Sequence, residues 1–363
     1  MENKLRFISI IYTILLSVGL FAHVEIIPFL LTTAKRDAWI SIVLTVIILP
    51  LWIYLLFKIV DIVKNRSIIK LLNDHSTLLC YYSLLLPIAL YMLLDAFFTA
   101  KEIIYWSQLS YMQGFNSFIL AVALLIFCLL CTESGFFSIG LLSSLLCPFV
   151  LLLGFFISFA NIKKKHYELL FPLFTDGYVP ITKGLIFSSL PILELFIIIF
   201  LTPLLRKTVS RKQILIVGLV IIGLMLGPTM AAIEEFGPEQ ASMYRYPAYE
   251  QWRLISIGRY FSHTDFFAIY QWISGGVIRI SLFVLISCRI LTKDNNNHKI
   301  VRMTYLILFI ACIYPFDQST LASFIYGYFR PFSFLLLTIQ IFILALFIVK
   351  NKQKWLGGSI HHE

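Results

Sequence analysis

Apolar residues in this chain do not alternate with polar ones. They come in ten long runs broken by short charged or turn-rich segments, near 7–31, 38–57, 77–100, 115–131, 136–160, 182–203, 213–231, 266–288, 300–316 and 327–349. A hydrocarbon layer about 30 Å thick takes roughly 20 apolar residues per helical crossing. Backbone groups in lipid must be satisfied within a helix or a closed barrel. Barrel strands alternate apolar and polar positions over roughly ten residues, whereas a run such as 185–205 is apolar on every side. The pattern predicts an all-α integral membrane protein of about ten transmembrane helices forming one transmembrane domain. The longest connection, about 232–265, leaves no soluble domain. The first run lacks a small-residue cleavage site and leads straight into the second, so it reads as a retained helix.

Composition agrees. Hydrophobic residues make up 60% of the 363 and charged residues 13%, with a mean hydropathy of +0.89; soluble domains carry roughly 25% charged residues because their outside faces water. The net charge of +10 does not point to nucleic acid, because the basic residues sit in short loops between apolar runs and not on one soluble face. All six cysteines lie in or at the ends of apolar runs, where Cys packs as a small hydrophobe. Cys128 and Cys131 form a lone C-x-x-C without a second pair or a nearby histidine, so neither metal nor redox chemistry is inferred. No nucleophile, base or metal set suggests an enzyme, and no cofactor is expected.

Lys and Arg in the connections set the orientation. With both termini cytoplasmic, the inner side carries 17 basic residues and the outer side 11, Arg330 and Arg259 among the latter; Lys163, Lys164 and Lys165 are the main exception. Ten helices divide into two sets of five. Because five is odd, consecutive repeats, about 7–160 and 182–349, would have opposite topology, the inverted plan of many transporters.

Three stretches resemble the endospore germination permease family, a branch of the amino acid-polyamine-organocation superfamily. They are KRDAWIS at 35–41, FPLFTDGYVPITKGLIFSSLPILE at 171–194 and YEQWRLISIGRYFSHTDFFAIYQWISGGVIRIS at 249–281. Taken alone, Asp37 reads as a cap for the second helix, with Trp39 at interface depth. The resemblance implies a transporter-like fold with discontinuous helices 1 and 6, unwound near Gly19 and Pro191. Freed helix ends would form a small polar chamber suited to a zwitterion. In this sequence Gly19 stands nine residues before Pro28, and Ser188, Ser189, Leu190 and Pro191 precede Glu194. The resemblance further implies a permease-like B subunit of a spore germinant receptor in the spore inner membrane. Such a subunit binds a small polar nutrient germinant and works with A-type and lipoprotein C-type subunits. A secondary amino acid transporter of the same fold, or an ion or water conduit opened during germination, are the alternatives.

Ionisable residues inside a span are costly and mark function or a named partner. Glu194, near the middle of helix 6, reads as a ligand or gating group, or as a carboxyl bonded to a neighbouring helix. Arg279 lies past the middle of helix 8 and is paired here, by conjecture, with Glu194. Tyr91, Asp95 and Glu102 share one face of helix 3, since steps of four and seven nearly close at 3.6 residues per turn. They line an access path or a hydrogen-bonded seam. His23 and Glu25, two apart, point to different faces and share a site only if helix 1 is unwound. Gly275 and Gly276 read first as packing positions. The candidate ligand set is Ser17, Gly19, His23, Tyr91, Asp95, Ser189, Glu194, Gly276 and Arg279. The acidic and aromatic segment 234–265 is a loop, a lid or a partner surface.

Overall fold

The computed structural model describes residues 4–255 and 264–353. Part of the third family-like stretch, 256–263 with Arg259, and Lys354 lie outside the described residues. The chain is 85% helix, and the described residues form no strand. The first half runs α1 (Phe7–Leu20), a π-helical stretch Phe21–Ile26, α2 (Ile27–Ala34), a 3-10 turn Lys35–Asp37, α3 (Ala38–Val63), α4 (Ile68–His75), α5 (Leu78–Ser110), α6 (Ser117–Glu133) and α7 (Gly135–Ala160). The second half runs α8 (Val179–Leu193), a 3-10 turn Glu194–Ile197, α9 (Ile198–Leu201), α10 (Arg211–Phe236), α11 (Pro238–Met243), α12 (Pro247–Arg253) and α13 (Phe266–Leu291). It ends with α14 (His298–Ile313), α15 (Gln318–Phe324), a π-helical stretch Ile325–Phe329 and α16 (Arg330–Lys350).

Among the described residues, seven helical stretches are long and apolar enough to cross a membrane, the first of them Phe7–Val63 at 57 residues. Helix rises 1.5 Å per residue, so that stretch would be about 85 Å long if straight, nearly three bilayer cores. Its helical path breaks at Lys35, whose φ is 44°. α6 (17 residues) and α14 (16 residues) are shorter and apolar along most of their length. Helix starts follow local chemistry. Thr77 accepts from the Cys80 amide, Asn116 from that of Phe118 and Asp317 from that of Thr320, and Ser210 with Gln213 forms a capping box on α10.

Burial grades outward from α13. Its most apolar window is 89% buried, that of Val179–Leu204 83% and that of α7 only 22%, so α13 and α8 run through the centre while α7 shows a flank to lipid. Large side chains such as Ile47, Leu51, Phe159 and Tyr328 point outward, as a bilayer allows. α13 approaches α1 and α5 closely because it has no Cβ at two positions. A Cβ on Gly275 would stand 2.8 Å from Leu20 Cβ, and one on Gly276 2.1 Å from Ile103 Cδ1.

Three expectations change here. Helix 1 is not unwound at Gly19. α1 is regular there, and the departure comes just after it as a π-helical stretch, which widens the turn while keeping the backbone bonded. Helix 6 is likewise tightened into a 3-10 turn at Glu194, three residues after Pro191, and not opened. Asp37 does not cap α3. It already has near-helical dihedrals (φ −86°, ψ 8°), so its carboxylate leaves the helix axis and accepts the Phe174 amide at 3.0 Å, pinning the 171–178 loop.

Candidate functional site

Three of the irregular turns converge on one buried point. The π stretch of helix 1 carries Glu25, the 3-10 turn after α8 begins with Glu194, and the π stretch before α16 ends next to Arg330. From α5 come Tyr91, Asp95 and Thr99, and from α13 comes Arg279. Turns of this kind rotate side chains off the regular helical path and are frequent at functional sites.

The ions form a chain of alternating charge. Glu25 Oε2 accepts Arg330 Nη2 at 2.7 Å, and Arg330 Nη1 donates to Asp95 Oδ1. Asp95 Oδ2 accepts Arg279 Nε at 2.9 Å, and Arg279 reaches Glu194 through Nη1 at 2.8 Å and Nη2 at 2.6 Å. Tyr91 closes one end by donating to Glu194, and Thr99 closes the other by donating to Glu25 Oε1 at 2.9 Å. Arg279 Nη1 also donates to the Ser17 carbonyl at 3.1 Å. The Phe21 ring lies 4.4 Å from each guanidinium carbon, offering its negative face to both cations.

Arg279, Asp95 and Glu194 have fully buried side chains, and Arg330 and Glu25 are 1% and 8% exposed. Charges removed from water need partners for nearly every donor and lone pair, and this network supplies most of them; Arg330 Nε and the Ser17 hydroxyl stay without one. Three carboxylates face two guanidiniums, which leaves one formal negative charge for a proton or a bound cation to balance.

Above the ions on α5, Glu102 Oε1 accepts Arg245 Nη2 at 2.6 Å and Glu102 Oε2 accepts the Tyr246 hydroxyl at 2.7 Å. Burial works against the Arg245 charge, but Glu102 and Tyr246 outweigh it and raise its pKa. Burial and Glu102 push the Tyr246 hydroxyl up as well, so it stays a donor. Between this latch and the Glu25–Arg330 pair lies a cavity of about 30 Å³ walled by Phe29, Phe98 and Tyr326, room for one or two waters.

The structure thus brings together Tyr91, Asp95, Glu194, Arg279 and the backbone of Ser17, and the conjectured Glu194–Arg279 pair is present. Because those groups touch, Asp95, Glu194 and Arg279 share one depth. Gly19 and His23 instead line a separate cleft of about 280 Å³ between α1, α7, α10 and α13, where His23 Nδ1 is 3.3 Å from the Leu224 carbonyl. His23 and Glu25 therefore do not meet. Ser189 donates to the Leu185 carbonyl of its own helix at 2.6 Å, and Gly276 packs on Ile103. The solute-sized chamber expected beside Gly19 and Pro191 is absent from the ion cluster, whose groups satisfy one another in closed form.

The model of the spore germination protein family, a family of spore permeases, matches residues 3–321. Spore germination protein XB of Bacillus anthracis is 35% identical over 351 residues, which are 96% of this chain and 99% of that protein. The chain belongs to the spore germination protein family. Putative spore germination protein YfkT of Bacillus subtilis (strain 168) is 24% identical over 365 residues, covering 98% of this chain and 97% of that protein.

In this spore permease-like protein, sequence reasoning missed Arg330 and Thr99 as site residues and set Glu25 beside the wrong neighbour. Arg330 was counted among outer-loop charges, yet it is buried, so it carries no topological weight. The missing signal was charge balance. Arg279 by itself leaves two of the three intramembrane carboxylates unpaired, and Arg330, before Pro331, is the cation within the apolar run 327–349.

Proposed function

We propose that this protein is the permease-like B subunit of a spore germinant receptor, seated in the spore inner membrane with ten crossings and both termini cytoplasmic. Counting Phe7–Ala34 and α3 separately and adding α6 and α14 to the other long stretches supports ten. Two inverted five-helix repeats, about 7–160 and 182–349, would place the irregular turns of Glu25 and Glu194 in the first helix of each. They would place Asp95 and Arg279 in the third.

The observation that carries the reading is the alternating ion chain joining five helices at one depth. A small zwitterion such as an amino acid presents the same two charges that this network pairs internally. Its carboxylate can take the place of Glu25 on Arg330, while its ammonium takes up the uncompensated negative charge. The closed arrangement described here is then the unliganded state. A nutrient with higher affinity for an opened arrangement shifts the population toward it by that difference in affinity. The shift would be passed to the A-type and lipoprotein C-type subunits.

The test uses the full chain in lipid nanodiscs, screened by thermal shift against single amino acids and other small nutrients. One class should raise Tm, and Glu25→Gln should abolish that shift. Failure of every nutrient to shift Tm, together with normal germination of spores carrying Glu25→Gln, would overturn the reading. Accumulation of labelled substrate in liposomes under a cation gradient would make it a transporter instead.

A further inference from the structure

The cleft that holds Gly19 and His23 encloses about 280 Å³ between α1, α7, α10 and α13, close to the lower end of the roughly 300–1,000 Å³ typical of small-molecule sites. Phe155, Ser158, Gly223 and Gly227 line it and are exposed on spanning helices, so it opens sideways into lipid. Its inner wall is apolar, with Leu16, Leu20, Val150 and Leu151. A Cβ added at Gly223 or Gly227 would meet nothing within 4 Å, so the wall there is bare backbone with room in front of it. Among the described residues no lysine, arginine or carboxylate lines the cleft.

The amide and hydroxyl side chains of the lining are already engaged. Gln271 donates to the Val150 carbonyl at 3.0 Å and accepts the Trp252 indole N–H at 3.0 Å, and Ser158 donates to the Gly154 carbonyl at 3.1 Å. His23 is different. Pro228 has no N–H to give the Leu224 carbonyl one turn earlier in α10, and His23 Nδ1, 3.3 Å away, takes the place of that missing donor. A carbonyl only accepts, so the proton sits on Nδ1. With no carboxylate in the cleft the ring is neutral, and Nε2 keeps its lone pair. Among the described residues the ring's hydrogen bond is the one to Leu224, which leaves Nε2 as an acceptor without a donor.

We propose that this cleft binds a small, neutral, membrane-soluble molecule with a flat apolar body and one hydroxyl. The hydroxyl donates to His23 Nε2 while the ring lies against the backbone of Gly223 and Gly227. An apolar cavity of about 150 Å³ already takes benzene, so a substituted phenol fits here. A charged solute finds no counter-charge in the cleft, and a bare acyl chain leaves Nε2 unsatisfied. His23 and Glu25 belong to one π-helical stretch, so the occupant bears on the segment that carries one end of the ion chain. The site stands or falls separately from the nutrient reading.

The test uses the full chain in lipid nanodiscs and a phenol whose short alkyl chain carries a diazirine. Photolabelling should fall on 147–158 of α7 and 223–228 of α10. At equal concentration in the lipid, para-propylphenol should compete about tenfold better than para-propylanisole, which has the same body but no hydroxyl proton to donate. Gly223→Leu fills the cleft and should remove the labelling, with Tm reporting that the variant is folded. Phe332→Leu, in the separate apolar groove between α5 and α16, should leave it unchanged. The two competitors are compared on the parent chain, which decides the case even if Gly223→Leu does not fold. Labelling spread evenly over the lipid-facing helices, or equal competition by the phenol and the anisole, would overturn the proposal.

Discussion

α5 carries two sets of ionised side chains within about two turns of each other, and they meet burial in different ways. Around Asp95 the charges are sealed. Asp95, Glu194 and Arg279 have no exposed side-chain surface, and each carboxylate is held by at least two donors. Seven residues further along, Glu102 is 16% exposed and its partner Arg245 31%, and that partner comes from a connection between α11 and α12, not from a membrane helix. The inner set is positioned by three irregular helix turns that cannot shift without moving whole helices. The outer set depends on a short loop. Partial burial with a loop-borne partner makes an ion pair that opens at low cost, whereas full burial makes one whose geometry is fixed. The difference runs along one helix, with a sealed ion chain on one side of the small cavity and a partly exposed ion pair on the other.

The largest expected effect tests the rigid set. Arg279→Leu leaves Asp95 and Glu194 short of a buried counter-charge and should destabilise the protein by about 3–5 kcal/mol, read as a lower Tm and poor recovery from membranes. The double variant Arg279→Leu with Glu194→Leu removes a charge of each sign and should recover part of that loss. A double as unstable as the single would mean that the pair is not coupled. The latch comes next. A double-mutant cycle on Glu102→Gln and Arg245→Gln should give a coupling of about 1 kcal/mol that shrinks with added salt. A salt-independent coupling as large as that of the inner set would erase the contrast between them. A comparable effect concerns the aromatic between the guanidiniums. Phe21→Leu keeps apolar bulk but removes the ring face from Arg279 and Arg330, at a cost of about 1–2 kcal/mol. A neutral result would show that the ring only fills space.

The lesson about legibility follows from the same residues. Tyr91, Asp95 and Glu102 were readable as one face of a helix because 3.6-residue periodicity is a local property. The structure divides that face, giving Tyr91 and Asp95 to the buried ion chain and Glu102 to the Arg245 pair. Glu194 and Arg279 stood out because charges are rare in apolar runs, and even their partnership could be conjectured. Arg330 was misplaced because its run begins near a predicted interface, where an arginine is ordinary. Gly19 misled because glycine permits an opened helix without requiring one, and here the departure was taken up by the following π stretch.

The sequence by itself determined that the chain is helical and membrane-embedded, and which side chains would be expensive in lipid, because hydropathy and helical period are summed over neighbouring residues. Only the tertiary structure decided that the costly groups pair in the order Glu25, Arg330, Asp95, Arg279, Glu194, and that helices 1 and 6 depart from regular α-helix without opening. Pairing joins residues as far apart as Glu25 and Arg330, and it is settled by which helices pack at one depth. No local pattern encodes that choice.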